Sequence, residues 1–148
     1  MNDLHLQRLL ADVPKAGVYH LPHLDKQRIV AAARERDLAV FRVNLSKVTD
    51  KEMLLSSISK ALHFPDWFGH NFDGLADCLA DLEWLPPADG YLIMLEHCDG
   101  IHDRAEGDFV TMLKVFEQAA DEWRDEGIPF WCLVEMQSDG IAWFPTEL

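Results

Sequence analysis

Between Ala61 and Asp103 the chain contains no lysine and no arginine. The same stretch carries Asp66, Asp73, Asp77, Asp81, Glu83, Asp89, Glu96, Asp99 and Asp103. Solvated surfaces ordinarily mix both signs, so this absence leaves a field of one sign over the middle of the chain. Over all 148 residues, 13 Lys and Arg stand against 26 Asp and Glu, a net charge of −13. The cations lie early: residues 1–48 hold eight Lys and Arg against five Asp and Glu, whereas residues 49–148 hold five against twenty-one. Such a field repels nucleic acid and anionic membranes and speeds encounter with a basic protein. Neither nucleic acid nor a membrane is therefore an expected partner.

Other scarcities narrow the class further. There are 3 cysteines, Cys78, Cys98 and Cys132, and their spacing fits no CxxC metal or redox motif. Each sits in or beside an apolar segment, as buried, reduced thiols do, which points to the cytoplasm. No apolar run approaches the length of a membrane span. The opening residues lack the basic and apolar regions of a secretory signal. No Gly-rich phosphate loop, nucleophile elbow or HExxH helix occurs, so the chain is not expected to be an enzyme. There is no internal repeat, low-complexity segment or linker. A chain of 148 residues with 49% apolar content suits one domain, residues 1–148, with a full core.

Taken in order, residues 3–11 read as a short amphipathic helix stopped by Pro14 and Gly17. Residues 18–21 read as a short strand closed by Pro22. His20 and His23 stand three apart, but with a proline between them and no third ligand nearby they read as a loop pair, not a metal site. Asp25 is placed to cap a helix over 26–36. Residues 38–43 form a β-rich run. Thr49 or Asp50 starts the next helix, Thr49 forming a capping-box pattern with Glu52; that helix stops before Pro65. Residues 91–95 are apolar without alternation, the mark of a strand buried on both faces. A polar loop over 99–107 leads into a long helix over 108–125, with Phe109, Met112, Leu113, Phe116, Ala119, Ala120 and Trp123 at helical spacing. Residues 129–134 read as a further buried strand, and 141–144 as an antiparallel edge strand after a turn at 138–140. Strands alternating with helices predict an α/β fold with a mainly parallel sheet.

Residues 64–79, FPDWFGHNFDGLADCL, organise the rest. Asn71 is the expected N-cap of a helix running to about 82–84. Gly69, among bulky aromatics, is expected at positive φ. Phe72, Leu75, Cys78, Leu79 and Leu82 form an apolar stripe, and Asp73, Ala76, Asp77, Ala80 and Asp81 take the other side. Aspartates spaced four apart repel one another by a few tenths of a kcal/mol per pair, roughly, and only Asp73 lies where the helix dipole favours it. An acidic face with small residues between the charges does little for the isolated helix and suits docking of something basic; on charge alone, a plainly solvated face fits equally well. A metal trio of His70, Asp73 and Asp77 is conceivable by spacing, but no other segment supplies matching ligands.

This run resembles the hallmark of the barstar family, intracellular inhibitors of barnase-type ribonucleases. The resemblance rests on Pro65, Trp67, Phe68, Gly69, Asn71, Asp73, Leu75, Asp77, Cys78 and Leu79, gap-free, and extends more weakly through Leu92–Glu96, Val115-Phe116 and 127–134, in all about 38–134. Residues 1–37 and 135–148 are extensions to it. The resemblance implies three parallel strands with helices around them, and an acidic helix and aromatic loop that plug the active site of a small basic ribonuclease, one to one, without cofactor or metal. Asp77 would sit where the substrate phosphate binds, Asp73 would pair with a second cation, and Trp67 would be the aromatic anchor, with Phe68 turned to the core. Gly69, Asn71, Ala76 and Ala80 would complete the surface. A glutamate of the long helix should join it: matching from one side gives Gln118 and from the other Glu122, preferred for its charge. Ala76 replaces a tryptophan of the best-known member, Asp81 and Leu82 replace a glycine and a tryptophan, and the loop over 84–91 is long for the family. These departures leave open a different basic protein or toxin as partner.

Overall fold

A computed structural model describes residues 2–21 and 25–137. In chain order the elements are α1 (Asp3–Leu10), a 3-10 turn (Val13–Lys15), β1 (Val18–His20), α2 (Lys26–Glu35), β2 (Leu38–Asn44), α3 (Lys51–Ala61), α4 (Phe72–Asp81), β3 (Gly90–Glu96), α5 (Asp99–Arg104), α6 (Glu106–Asp125) and β4 (Phe130–Val134). The strands form one sheet in the order β1-β4-β3-β2, every pairing parallel. Among the described residues the sheet has four strands: to the three core strands the N-terminal extension adds the edge strand expected over 18–21, with Val18 paired to Cys132 and His20 to Val134. The strand expected at 141–144, like His23, lies outside the described residues.

Crossover handedness explains the layers. The connections β2→β3 and β3→β4 step one way across the sheet, and β1→β2 steps back the other way. Right-handed crossovers then put their helices on opposite faces. On one face α3, α4, α5 and α6 cover Tyr91, Ile93, Leu95, Phe130, Cys132 and Val134. On the other, α1 and α2 cover Leu38, Leu92, Met94, Trp131 and Leu133. β3 and β4 are buried at every residue, because alternate side chains point into the two cores. Gly90 starts β3 where no side chain fits: a Cβ there would lie 2.6 Å from Leu38 Cδ2 and 2.7 Å from the Pro129 carbonyl oxygen.

Polar ties anchor the extension to the rest. Trp131 Nε1 donates to the Leu10 carbonyl at 2.8 Å, and Arg124 of α6 donates to the Ala16 carbonyl. One local expectation is corrected, and another is decided between its two alternatives. Residues 99–104 form α5 instead of loop, seated by buried Ile101. At the start of α3 the cap is Asp50, whose side chain accepts from Met53 N at 2.8 Å, while the Thr49 hydroxyl turns to Met53 Sδ.

Candidate functional site

α4 is set in place by its apolar stripe. Leu75, Cys78 and Leu79 are buried, and Trp123 of α6 donates from Nε1 to the Leu79 carbonyl at 2.8 Å. Burial first, then the Asp77 and Asp81 charges, push the Cys78 thiol up to about 11; all three cysteines are buried free thiols. The helix begins as its sequence dictates. Asn71 is extended, with φ −141 and ψ 174, and its side chain accepts from Gly74 N at 2.6 Å.

The aromatic loop lies against the first turn of this helix, and Gly74 permits the approach. A Cβ on Gly74 would stand 3.1 Å from Gly69 N, 3.2 Å from Asn71 Oδ1 and 3.3 Å from Phe68 Cδ1. The expectation of a positive φ at Gly69 is corrected: His70 takes the left-handed conformation, φ 52, and Gly69 does not. His70 precedes the cap, outside the helix, with its ring 4.8 Å from that of Phe68. The spacing that suggested a metal trio with Asp73 and Asp77 therefore does not lie along one helix face. Among the described residues no group of three or more His, Cys, Asp or Glu is arranged to hold a metal ion.

The two adjacent aromatics divide as the sequence suggests. Phe68 is buried and packs edge-on against Phe64 at 4.9 Å. Trp67 is 56% exposed. Asn71, Asp73, Asp77 and Ala80 are exposed, Ala76 is half-buried and Gly69 is exposed, so the residues singled out in this stretch lie at the surface. Among the described residues neither Asp73 nor Asp77 has an ion-pair partner. Lys51 touches the start of this face from the side, its Nζ 4.9 Å over the Phe72 ring.

On α6, Trp123 turns to α4 and Arg124 turns away toward Ala16. Successive residues are about 100° apart on a helix, so Glu122 falls on the opposite flank from Arg124 and is exposed. Gln118 is also exposed but lies about 40° further toward solvent, one turn away.

Trp84, in the loop that follows α4, packs back onto the aromatic loop. It lies edge-on to Phe64 at 5.8 Å and to Trp67 at 6.0 Å, and its Nε1 donates to the Leu62 carbonyl at 3.1 Å. No spacing rule connects residue 84 to residues 62–67; only the fold does.

The profile of the family described as Barstar (barnase inhibitor) matches residues 38–135. No curated protein matches the chain.

Proposed function

The chain belongs to the barstar family, and we propose that it inhibits a small basic ribonuclease by one-to-one occlusion of the active site. The observation that carries this reading is the surface made by the aromatic loop and α4. Asp73 and Asp77 are exposed there without an ion-pair partner among the described residues, beside half-exposed Trp67. Carboxylates left unneutralised on a rigid helix are poised for a cleft that binds phosphate through cations, where charge-assisted hydrogen bonds are the strong ones. Asp77 takes the phosphate position, Asp73 and Glu122 pair with flanking cations, and Trp67 packs as the anchor, with Gly69, Asn71, Ala76 and Ala80 closing the contact. Such a role needs no cofactor and no covalent step, and it belongs in the cytoplasm beside the enzyme it restrains. Ala76 favours one variation on the theme: with no bulky side chain at mid-helix, the same surface accepts a basic protein or toxin of different shape.

The test is titration of the protein into a barnase-type ribonuclease while RNA cleavage is followed, with Asp77→Ala in parallel. Tight one-to-one inhibition is expected, weakened in the variant by at least about 2 kcal/mol, the threshold of an interface hot spot. Inhibition that Asp77→Ala leaves unchanged would remove the phosphate-mimic role. Absence of inhibition would redirect the search to another basic partner.

A further inference from the structure

Trp67 is the exposed anchor of the surface, yet the ring packed against it comes from the far end of α4. The helix stops at Asp81. Leu82 then takes a left-handed conformation, φ 55, with its amide on the Cys78 carbonyl, and Leu85 N closes on the Leu82 carbonyl at 3.1 Å. A left-handed conformation is disfavoured for any residue with a Cβ; here burial of the Leu82 side chain holds it. The reversal carries Trp84 back to the aromatic loop. There its indole N–H is bonded to the Leu62 carbonyl, just past the end of α3, and its ring abuts Phe64. Trp84 is therefore fixed from two sides before it meets Trp67, whose ring stands against it at 83°.

We propose that Trp84 is a positioning residue for the partner surface: it holds the exposed Trp67 indole in its binding orientation before the partner arrives. This rests on the inhibitor reading above. An exposed indole free to change rotamer must be ordered on binding, and ordering one such side chain weakens association about two- to tenfold. The effect matters more here because Ala76 leaves the middle of the helix without an apolar anchor. It also gives the turn after α4 a task beyond connecting α4 to β3.

The experiment compares the full chain with Trp84→Leu, Trp84→Phe, Trp67→Ala and the Trp67→Ala/Trp84→Leu double variant. In the free protein, the heteronuclear NOE of the Trp67 indole N–H reports its order. It is expected to be rigid in the parent and to fall in Trp84→Leu, with Trp84→Phe, which keeps a ring but loses the bond to Leu62, between them. Trp84→Phe also preserves the test if the leucine variant folds poorly. Against a barnase-type ribonuclease, Trp84→Leu is expected to weaken binding about two- to tenfold, and that loss is expected to vanish in the Trp67→Ala background. Unchanged indole order in both Trp84 variants would overturn the proposal, as would a binding loss that persists without Trp67. Failure of the parent to bind the ribonuclease would count against the inhibitor reading, while the NOE of the free protein would still decide whether Trp84 positions Trp67.

Discussion

Glu96 ends β3 with 7% of its surface exposed and is the meeting point of three segments. Arg42 Nη2 of β2 approaches it at 2.5 Å and Lys26 Nζ of α2 at 3.2 Å. Lys26 continues to Glu135 at 2.6 Å, and Glu135 accepts from the His97 backbone N–H at 3.0 Å. Burial pushes the Glu96 carboxyl up, but the hydrogen bonds from Arg42 and Lys26 and their charges together outweigh it, so its pKa lies below the ordinary 4.5. Glu135 is lowered in the same way, against burial, by Lys26 and the His97 amide. A carboxylate lowered in the folded state contributes stability that is present above its unfolded value and is lost as pH falls through the folded one. Glu96→Gln is therefore expected to destabilise the protein at neutral pH by about 1–3 kcal/mol. The difference from the parent should shrink below pH 4.5 as the parent's carboxyl protonates. Melting temperatures of both proteins across that range check it; a constant difference would show that the charge of Glu96 is not what stabilises. The network ties α2 of the N-terminal extension to the strand ends of the core, a coupling that no local pattern in the sequence displays.

At the scale of the element, α4 and the loop before it act as one unit, and Gly74 is the joint. Alanine there gains about 1 kcal/mol in helix propensity. It also sets a methyl against a backbone amide, a capping oxygen and the edge of a buried ring. Overpacking of a close-fitting site costs about 1–3 kcal/mol, and these neighbours are not flexible chain ends, so the overpacking prevails. Gly74→Ala is expected to lower stability by about 1 kcal/mol, from the balance of those two effects, read by denaturant unfolding. A more stable variant would mean that the loop yields and that contact at Gly74 does not fix its position. The cap of this helix was legible in the sequence, because an Asn side chain accepting from the third residue on is a short-range bond. Where the left-handed turn falls was not, because Gly69 and His70 offer neighbouring solutions and packing against Gly74 chooses between them. The exposure of Trp67 beside buried Phe68 was legible as a preference; the seat of Trp67 on Trp84 was not.

At the scale of the whole molecule, charge and sheet topology divide the labour. The chain is acidic overall, with its cations weighted to the first third, and the acidic helix lies on the sheet face opposite α1 and α2. If that field steers a basic ribonuclease, association slows as salt shortens the screening length from about 10 Å at 0.1 M to about 3 Å at 1 M. A fall of at least tenfold in association rate is expected, at the low end of about 10–10³ for steered pairs, measured by stopped flow. A rate that ignores salt would argue against steering. The topology yields a different expectation. Leu92, Met94, Trp131 and Leu133 are fully buried under α1 and α2, and full burial of such side chains is worth about 1.5–3 kcal/mol each. A chain lacking residues 1–37 is therefore expected to bind hydrophobic dye and to self-associate in light scattering. A truncated chain that stays monomeric with cooperative unfolding would show that the second core is dispensable.

The sequence by itself determined what depends on neighbours along the chain. Apolar runs without alternation gave β3 and β4 as strands buried on both faces; helical spacing separated the acidic side of α4 from its apolar stripe; Asn71 and Asp25 marked helix starts. The gap-free run over 64–79 carried the family. Tertiary structure decided what depends on residues far apart in the chain. It placed β1 beside β4, so that the extension supplies a fourth strand and a covering layer, because crossover handedness sends the β1→β2 helix to the opposite face. It brought Lys26 and Arg42 to Glu96 and set Trp84 against Trp67. Local propensity reaches only a few residues along the chain, whereas each of these contacts closes a longer loop and exists only once the sheet has fixed where the helices lie.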